Sequence, residues 1–212
     1  MNEIICGDCL DVMRGMGDNE VDLILTDPPY GVGASSTKYI NGTSKSEKPY
    51  YDDSKKWDDE PIDKQYFSEM LRVSKNQIVW GGNYYFDILG NTRCFIIWDK
   101  TIHGNSYADC DFAWASFDKP ARIVPINMVE TNKDGRFHPT QKPVKLFEWL
   151  LKNYAKEGDI IFDPFAGSAA SLVACIRLGY QFIGIEKDPE YFRMAQERIN
   201  KVKPQQRLSS WF

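Results

Sequence analysis

The chain has 212 residues, of which 42% are hydrophobic and 26% charged, with a formal net charge of −4 and a pI of about 5.3. This length and composition predict one globular domain, and no apolar run is long enough for a membrane span. An acidic chain is not expected to bind nucleic acid over a broad basic surface, so any contact with nucleic acid would be local. The first residues lack the basic region and apolar core of a secretory signal, which favours a cytoplasmic protein.

Five cysteines stand at positions 6, 9, 94, 110 and 175. Only Cys6 and Cys9 form a C-x-x-C pair, and no second pair or nearby histidine completes a zinc site. We interpret the pair as two small packing residues at a strand end, and we expect reduced thiols and no metal centre. A redox-active pair is the alternative.

The first predicted strand, Ile4–Cys6, is followed by Gly7, Asp8 and a helix with an apolar face. Ligands of open α/β sheets bind beyond the carboxyl ends of the strands, so Asp8 either contacts a cofactor or caps the helix. The second predicted strand, Val21–Leu25, is an apolar run that leads into a proline-rich turn.

That turn is Thr26-Asp27-Pro28-Pro29-Tyr30. The prolines fix two φ angles and bias Asp27 toward extended backbone, so the turn is rigid. The exocyclic amine of a nucleobase is a poor nucleophile, and the Asp27 carboxylate and the Pro28 carbonyl can accept both of its hydrogens. Tyr30 offers a flat face on which an extruded base can stack. A proline-rich strand end with a capping Asp and a packed Tyr is the alternative.

Residues 31–60 are polar and loop-like, and we predict a mobile flap over the substrate, with plain disorder as the alternative. A helix with an apolar face at 66–73 and the strand Gln77–Trp80 follow. Two further strands are predicted, the second of them antiparallel: Arg93–Trp98 and Phe112–Phe117. His103 lies in the polar loop between them and is expected to be exposed rather than catalytic.

The segment 118–137 is irregular and carries basic and amide side chains. His138-Pro139-Thr140-Gln141-Lys142-Pro143 then precedes a helix whose apolar residues recur at helical spacing from Val144 to Tyr154. Lys142 is a cation beside the start of this helix, where a negatively charged ligand group would also be favoured.

The strand Ile160–Phe162 leads into a turn of small residues, 163–171, and then into the helix Leu172–Leu178. Small residues let the backbone approach a ligand, and Asp163 can bind an amino group. The next strand, Gln181–Ile185, ends in Glu186, where an acidic side chain can chelate ribose hydroxyls. Alternating helices and strands predict an α/β fold with a mostly parallel sheet. A phosphate-transfer signature with its lysine is missing from the sequence.

Four parts of the sequence resemble the β class of amino-group DNA methyltransferases, and the resemblance covers nearly the whole chain: Asp27–Tyr30, His138–Pro143, Asp163–Ser171 and Glu186. In that family the catalytic turn precedes the cofactor turn, a circular permutation of the usual methyltransferase order, and this chain has the same order. The resemblance implies a Rossmann-like fold that depends on S-adenosylmethionine, with a mostly parallel seven-stranded sheet and helices on both faces. In its compactness the chain resembles phage or prophage enzymes.

The resemblance also implies roles for individual residues. Asp8 would lie near the adenine of S-adenosylmethionine and Glu186 at its ribose. The methionine portion would be surrounded by Asp27, Thr140, Lys142, Asp163, Phe165, Gly167 and Ser168. The catalytic centre would consist of Asp27, Pro28, Pro29 and Tyr30, which receive a base flipped out of double-stranded DNA. The family usually has glycine at the position of Ala169, where alanine would be unfavourable if φ were positive.

The expected reaction is methylation of adenine N6, because the family leans toward Asp at the first motif position for adenine and toward Ser for cytosine N4. Cytosine-N4 transfer and a non-catalytic relic that binds cofactor or DNA are the alternatives. The Pro-Cys dipeptide of cytosine-C5 enzymes is absent from the sequence. Residues 118–137 are a short candidate for DNA recognition, which predicts a homodimer, a short recognition site or a contribution from the flap.

Overall fold

A single eight-stranded sheet forms the centre of the protein. The computed structural model describes residues 2–32, 58–102, 104, 108–129 and 141–209, with side chains as far as residue 202. The strands, in chain order, are β1 (Asn2–Cys6), β2 (Val21–Thr26), β3 (Ser74–Trp80), β4 (Cys94–Asp99), β5 (Cys110–Ala115), β6 (Arg122–Pro125), β7 (Ile160–Asp163) and β8 (Gln181–Glu186). Their order in the sheet is β1-β8-β7-β2-β3-β5-β4-β6, and every pairing is parallel except those that β5 makes with β3 and β4.

Six α-helices and one 3-10 turn (Gly82–Tyr84) connect these strands in the described ranges. The helices are α1 (Cys9–Arg14), α2 (Lys64–Val73), α3 (Phe86–Leu89), α4 (Val144–Tyr154), α5 (Ala170–Leu178) and α6 (Pro189–Ser209). None of them is long and apolar enough to cross a bilayer, as far as the described residues go.

Both faces of the sheet are buried, which gives three layers. On β2, Leu23 and Leu25 point to the cluster that α4, α5 and α6 share, whereas Ile24 points to the cluster of α1, α2 and α3. Because side chains alternate along a strand, an uninterrupted apolar run such as Val21–Leu25 supplies both layers at once. The predicted mostly parallel α/β sheet with helices on both faces is therefore confirmed.

The predicted number of seven strands is wrong, because β6 adds an eighth. It lies inside the segment 118–137 that the sequence presented as irregular, and it pairs in parallel with β4 from Ile96 to Asp99. Only Val124 of its four residues is buried, so β6 lacks the alternation of buried and exposed residues from which a strand is predicted. Hydrogen bonding to β4 therefore keeps β6 in the sheet, although the sequence of β6 does not itself specify a strand.

The antiparallel strand was expected at Phe112–Phe117 and lies two residues earlier, at Cys110–Ala115. Its register with β4, from Cys94 opposite Ala115 to Asp99 opposite Cys110, draws the polar Asp111 into the strand. Pairing with two neighbours overrides the weak local preference of an Asp for a loop.

Candidate active site

The carboxyl ends of β1, β2, β7 and β8 surround a cavity of about 840 Å³. Parallel strands present their carboxyl ends at the same edge, so residues far apart in sequence converge there. Nine of the site residues singled out in the sequence line this cavity: Asp8, Asp27, Pro29, Lys142, Asp163, Phe165, Gly167, Ser168 and Glu186.

Asp163 is buried, and both of its carboxylate oxygens have internal donors. The Thr26 hydroxyl donates to Oδ1 at 2.7 Å, the Phe165 N–H donates to the same oxygen at 3.1 Å, and the Ser171 hydroxyl donates to Oδ2. Burial raises the pKa of Asp163 to about 6, and these hydrogen bonds limit the rise. Asp163 thus ties β2, β7 and the start of α5 together beneath the cavity.

Glu186 braces the same turn from β8. Its Oε2 accepts the Gly167 N–H at 2.9 Å, and its Oε1 accepts the Asp188 N–H at 2.8 Å. Burial raises the pKa of this carboxyl. Each oxygen keeps a second lone pair, so the side chain can still accept hydrogen bonds from a ligand in the cavity.

Asp8 caps α1 by accepting the Leu10 N–H at 2.9 Å, so the capping interpretation is confirmed. Lys187 Nζ lies 2.9 Å from Asp8 Oδ2, and the Tyr66 hydroxyl donates to the same oxygen at 3.2 Å. Burial is the largest single influence and opposes ionisation, but the hydrogen bonds from Lys187, Leu10 and Tyr66 and the charge of Lys187 together outweigh it, so the pKa of Asp8 is lowered. The carboxylate lines the cavity with its charge retained.

At the other side of the cavity, Asp27 is held by two donors. The Tyr30 hydroxyl donates to Oδ1, and Lys142 Nζ lies 2.5 Å from Oδ2. The side chain of Lys142 is only 4% exposed and that of Asp27 is 23% exposed. A buried lysine therefore faces the carboxylate that the sequence marks as the acceptor of a reacting amine.

The Tyr30 ring is packed against the turn after β3. It stacks on Tyr84 with ring centroids 5.0 Å apart and an interplanar angle of 17°. Gly81 lies so close that an added Cβ would be 2.0 Å from Tyr30 Cε1. Burial, and then the charge of Asp27, raise the pKa of Tyr30 well above its ordinary value, so the hydroxyl remains a donor.

The backbone of the proline-rich turn is anchored by Asp58 and Tyr85. Asp58 Oδ1 accepts the N–H groups of Tyr30 at 2.6 Å and Gly31 at 3.0 Å, and the Tyr85 hydroxyl donates to the Pro29 carbonyl. Pro28 is buried beside them. Rigidity of this turn was expected from its prolines, but these anchors are contributed by other parts of the chain.

Several predicted features lie outside the described residues: Thr140, His103, flap residues 33–57 and recognition residues 130–137. Sequence reasoning missed Tyr66, Lys187, Tyr84 and Asp111. The Gly81-Gly82 pair, which marks a close backbone approach after a strand, was a usable signal for Tyr84. Asp111 gave no such signal because it was placed in a loop.

Fold and site together define a class: a doubly wound α/β protein whose cavity at the strand ends has a small-residue turn and an acidic residue at the end of the next strand. Solved structures with this fold include TTHA0409 of Thermus thermophilus in complex with S-adenosyl-L-methionine, at a TM-score of 0.60 and 20% identity over 96% of this chain and 97% of that one. The cytosine-N4-specific PvuII DNA methyltransferase has a TM-score of 0.61 at 14% identity, over 97% of this chain and 92% of that one.

The sequence itself matches the N6_N4_Mtase family model, described as DNA methylase, over residues 34–197. YubD of Escherichia coli (strain K12), a protein named as a methylase, is 30% identical over 221 residues, which cover 96% of this chain and 92% of YubD. The type II methyltransferase M.HpaI of Haemophilus parainfluenzae is 26% identical, over 93% of this chain and 74% of M.HpaI. The chain belongs to the amino-group DNA methyltransferase family.

Proposed function

We propose that the protein is a site-specific methyltransferase that acts on the N6 amine of adenine in double-stranded DNA. The observation that carries this proposal is the position of Asp27, which lines the same cavity as Asp8 and Glu186. An amine held at Asp27 would face a ligand bound between those two carboxylates. Family membership supports transfer to an exocyclic amine of adenine or cytosine.

S-adenosylmethionine is the cofactor of this family, and the cavity suits it. A volume of about 840 Å³ is within the usual range for sites that bind small molecules. Asp8 and Glu186 would accept from the hydroxyl and amino groups of the nucleoside, while Phe165, Gly167 and Ser168 would border the methionine portion. When bound, the cofactor supplies an electrophilic methyl group on a sulfonium centre.

The protein's own task is to hold and activate the amine. Asp27 and the Pro28 carbonyl accept its two N–H bonds, which directs the nitrogen lone pair toward the cavity. The bound cofactor would supply the methyl group to this nitrogen, which would then give up one proton. Asp27 is the nearest acceptor for that proton.

Adenine is the proposed base because the catalytic turn begins with Asp rather than Ser. Transfer to cytosine N4 is the second candidate, and the similarity in fold to a cytosine-N4-specific enzyme favours it. Both reactions use the same acceptors at Asp27, so they differ only in which base fits beside Tyr30.

DNA contact is proposed for residues 118–137. Within the described part of this segment, Lys119 and Arg122 supply positive charge, and Ile123 on β6 is 70% exposed. The flap and a homodimer would add further contacts, because this segment is short for sequence recognition on its own.

The test is methyl transfer from labelled S-adenosylmethionine to mixed-sequence duplex DNA, followed by digestion and mass spectrometry of the nucleosides. N6-methyladenine is the expected product. N4-methylcytosine would replace the proposed base and leave the mechanism intact. Cofactor binding without any transfer would indicate a non-catalytic relic and overturn the proposal.

Replacement of Asp27 is the matching test at the level of one residue. Asp27→Asn keeps the shape of the side chain but removes a charged acceptor, so kcat should fall at least about 100-fold. Asp22→Asn, at the opposite end of β2, is the matched control and should retain activity. Calorimetry should give nearly the same cofactor affinity for both variants, and an Asp27→Asn protein with full activity would refute the mechanism.

A further inference from the structure

Lys142 is enclosed by groups that stabilise its charge. Its Nζ lies 2.5 Å from Asp27 Oδ2, 3.2 Å from the Tyr30 hydroxyl and 5.2 Å from the centroid of the Trp80 ring. Because the side chain is only 4% exposed, loss of one of these partners would leave a largely buried ammonium short of a hydrogen-bond acceptor. Movement of the ammonium group is therefore favoured toward another acceptor.

The ammonium group of Lys142 also competes with the substrate. The two oxygens of Asp27 already accept from Tyr30 and Lys142, so a target amine must share the carboxylate with a charged donor. The ammonium has a charge attraction to the carboxylate that a neutral amine lacks. An amine that takes the place of Lys142 at Oδ2 leaves the buried ammonium in need of another acceptor.

Asp111 is placed to accept Lys142. Its Oδ2 lies 4.0 Å from Lys142 Nζ, and its Oδ1 is held at 2.7 Å by Lys100 Nζ. Asp111 belongs to β5 and is paired there with Trp98 of β4, so its backbone position is held by the sheet. A shift of the ammonium by about 1 Å would convert the 4.0 Å approach into a hydrogen bond of ordinary length.

We propose that Asp111 is a positioning residue that receives the Lys142 ammonium when the target amine takes its place on Asp27. The inference rests on the proposed function and assigns to Asp111 a role in its amine-binding step. No proton moves in this exchange: Lys142 remains charged and passes from one carboxylate to another. The four charges of Asp27, Lys142, Asp111 and Lys100 stay balanced throughout.

The experiment first locates the methylated site by sequencing plasmid DNA from cells that express the protein. Single-turnover rate constants are then measured on a duplex that contains this site, at saturating cofactor. Asp111→Asn removes the negative charge of the second acceptor and should lower the rate constant about tenfold or more. Asp111→Glu retains the charge and should recover part of the rate. Asp18→Asn removes an exposed carboxylate paired with Arg72 and should have no effect.

A structural role for Asp111 is separated from the proposed one by a double-mutant cycle. In a Lys142→Met background there is no ammonium to transfer, so Asp111→Asn should cause no further loss of rate. Affinities for cofactor and for DNA, measured by calorimetry, should change less than about threefold with Asp111→Asn alone. Thermal unfolding shows whether Asp111→Asn is simply misfolded. If it is, the inference is tested by Asp111→Glu instead, which should recover part of the rate constant.

Two results would overturn the inference: a wild-type rate constant for Asp111→Asn, or an equal loss of rate in the presence and absence of Lys142. Failure of the proposed function is seen separately, because the wild-type protein would then methylate no DNA at all. A wild-type protein that is active, with an Asp111→Asn variant that is equally active, refutes only the role of Asp111.

Discussion

Ala169 adopts a left-handed backbone conformation, with φ 58° and ψ 29°, at the point where the small-residue turn enters α5. The sequence marked this position because the family usually has glycine there. An alanine in this region is strained by about 1–2 kcal/mol. Its side chain is completely buried, so packing of the methyl group offsets part of that strain.

Ala169→Gly is therefore expected to change the free energy of unfolding by less than about 1 kcal/mol, because relief of strain compensates for the lost methyl group. Ala174 is equally buried but lies within α5, so Ala174→Gly should destabilise by about 2 kcal/mol. Urea denaturation of both variants measures the difference. Equal destabilisation would show that the conformation of Ala169 is not strained.

Asp163 makes stability depend on pH. Its pKa is about 6 in the folded protein against an ordinary value of 3.8, so between these values the folded state holds a proton that the unfolded state has released. Stability is therefore lost as the pH rises through this window, by an amount on the order of 3 kcal/mol.

Asp163→Asn lacks this titration. The free energy of unfolding of the wild type, minus that of Asp163→Asn, should fall between about pH 4 and pH 7, with most of the change below about pH 6. Urea denaturation at each pH measures it, and the subtraction removes the contributions that other carboxyl groups make to both proteins. A difference that is constant with pH would mean that Asp163 is not shifted.

Among the elements, the turn after β3 contributes more to the proposed catalytic centre than its short sequence suggests. Gly81 has φ +65° and lies against the Tyr30 ring, and Tyr84 stacks on that ring. The turn thus determines the orientation of the Tyr30 hydroxyl, and through it one oxygen of Asp27.

Gly81→Ala would place a methyl group inside the Tyr30 ring, and we expect more than about a tenfold loss of kcat together with a destabilisation above about 2 kcal/mol. Gly179 provides the matched control, because it has a similar left-handed conformation and open space around the added Cβ. Gly179→Ala should cost only about 1–2 kcal/mol and leave kcat unchanged. Equal kinetic effects of the two variants would contradict the role of the turn.

At the scale of the whole molecule, the cavity joins distant parts of the chain. Asp8, Asp27, Lys142 and Glu186 come from opposite ends of the sequence and meet only in the folded protein. A ligand that bridges them binds the folded state alone, so it stabilises the entire domain by linkage.

S-adenosylmethionine at about 100 times its dissociation constant should stabilise the protein by about 2.7 kcal/mol. For a chain of this size the unfolding temperature should then rise by roughly 5–10 °C in a single transition. Adenosine triphosphate at the same concentration is the control and should cause little change. A thermal melt that S-adenosylmethionine leaves unshifted would contradict the assignment of the cavity.

The sequence by itself determined the fold class, the strand ends that carry Asp8, Asp27, Asp163 and Glu186, and the family. These features follow from local patterns: apolar runs of strand length, small-residue turns, and acidic side chains at fixed distances after a strand. In a parallel sheet, such a pattern also predicts that the strand ends converge on one edge.

Only the tertiary structure decided which groups contact the carboxylate of Asp27. Lys142 approaches it from the start of α4, and Asp111, which is paired with Lys100, lies 4.0 Å from the Lys142 ammonium. The register of β5 and the addition of β6 likewise depended on neighbouring strands. Pairing and ion contacts between distant segments leave no periodic trace in either segment, because each side chain is specified by a partner far away in the chain.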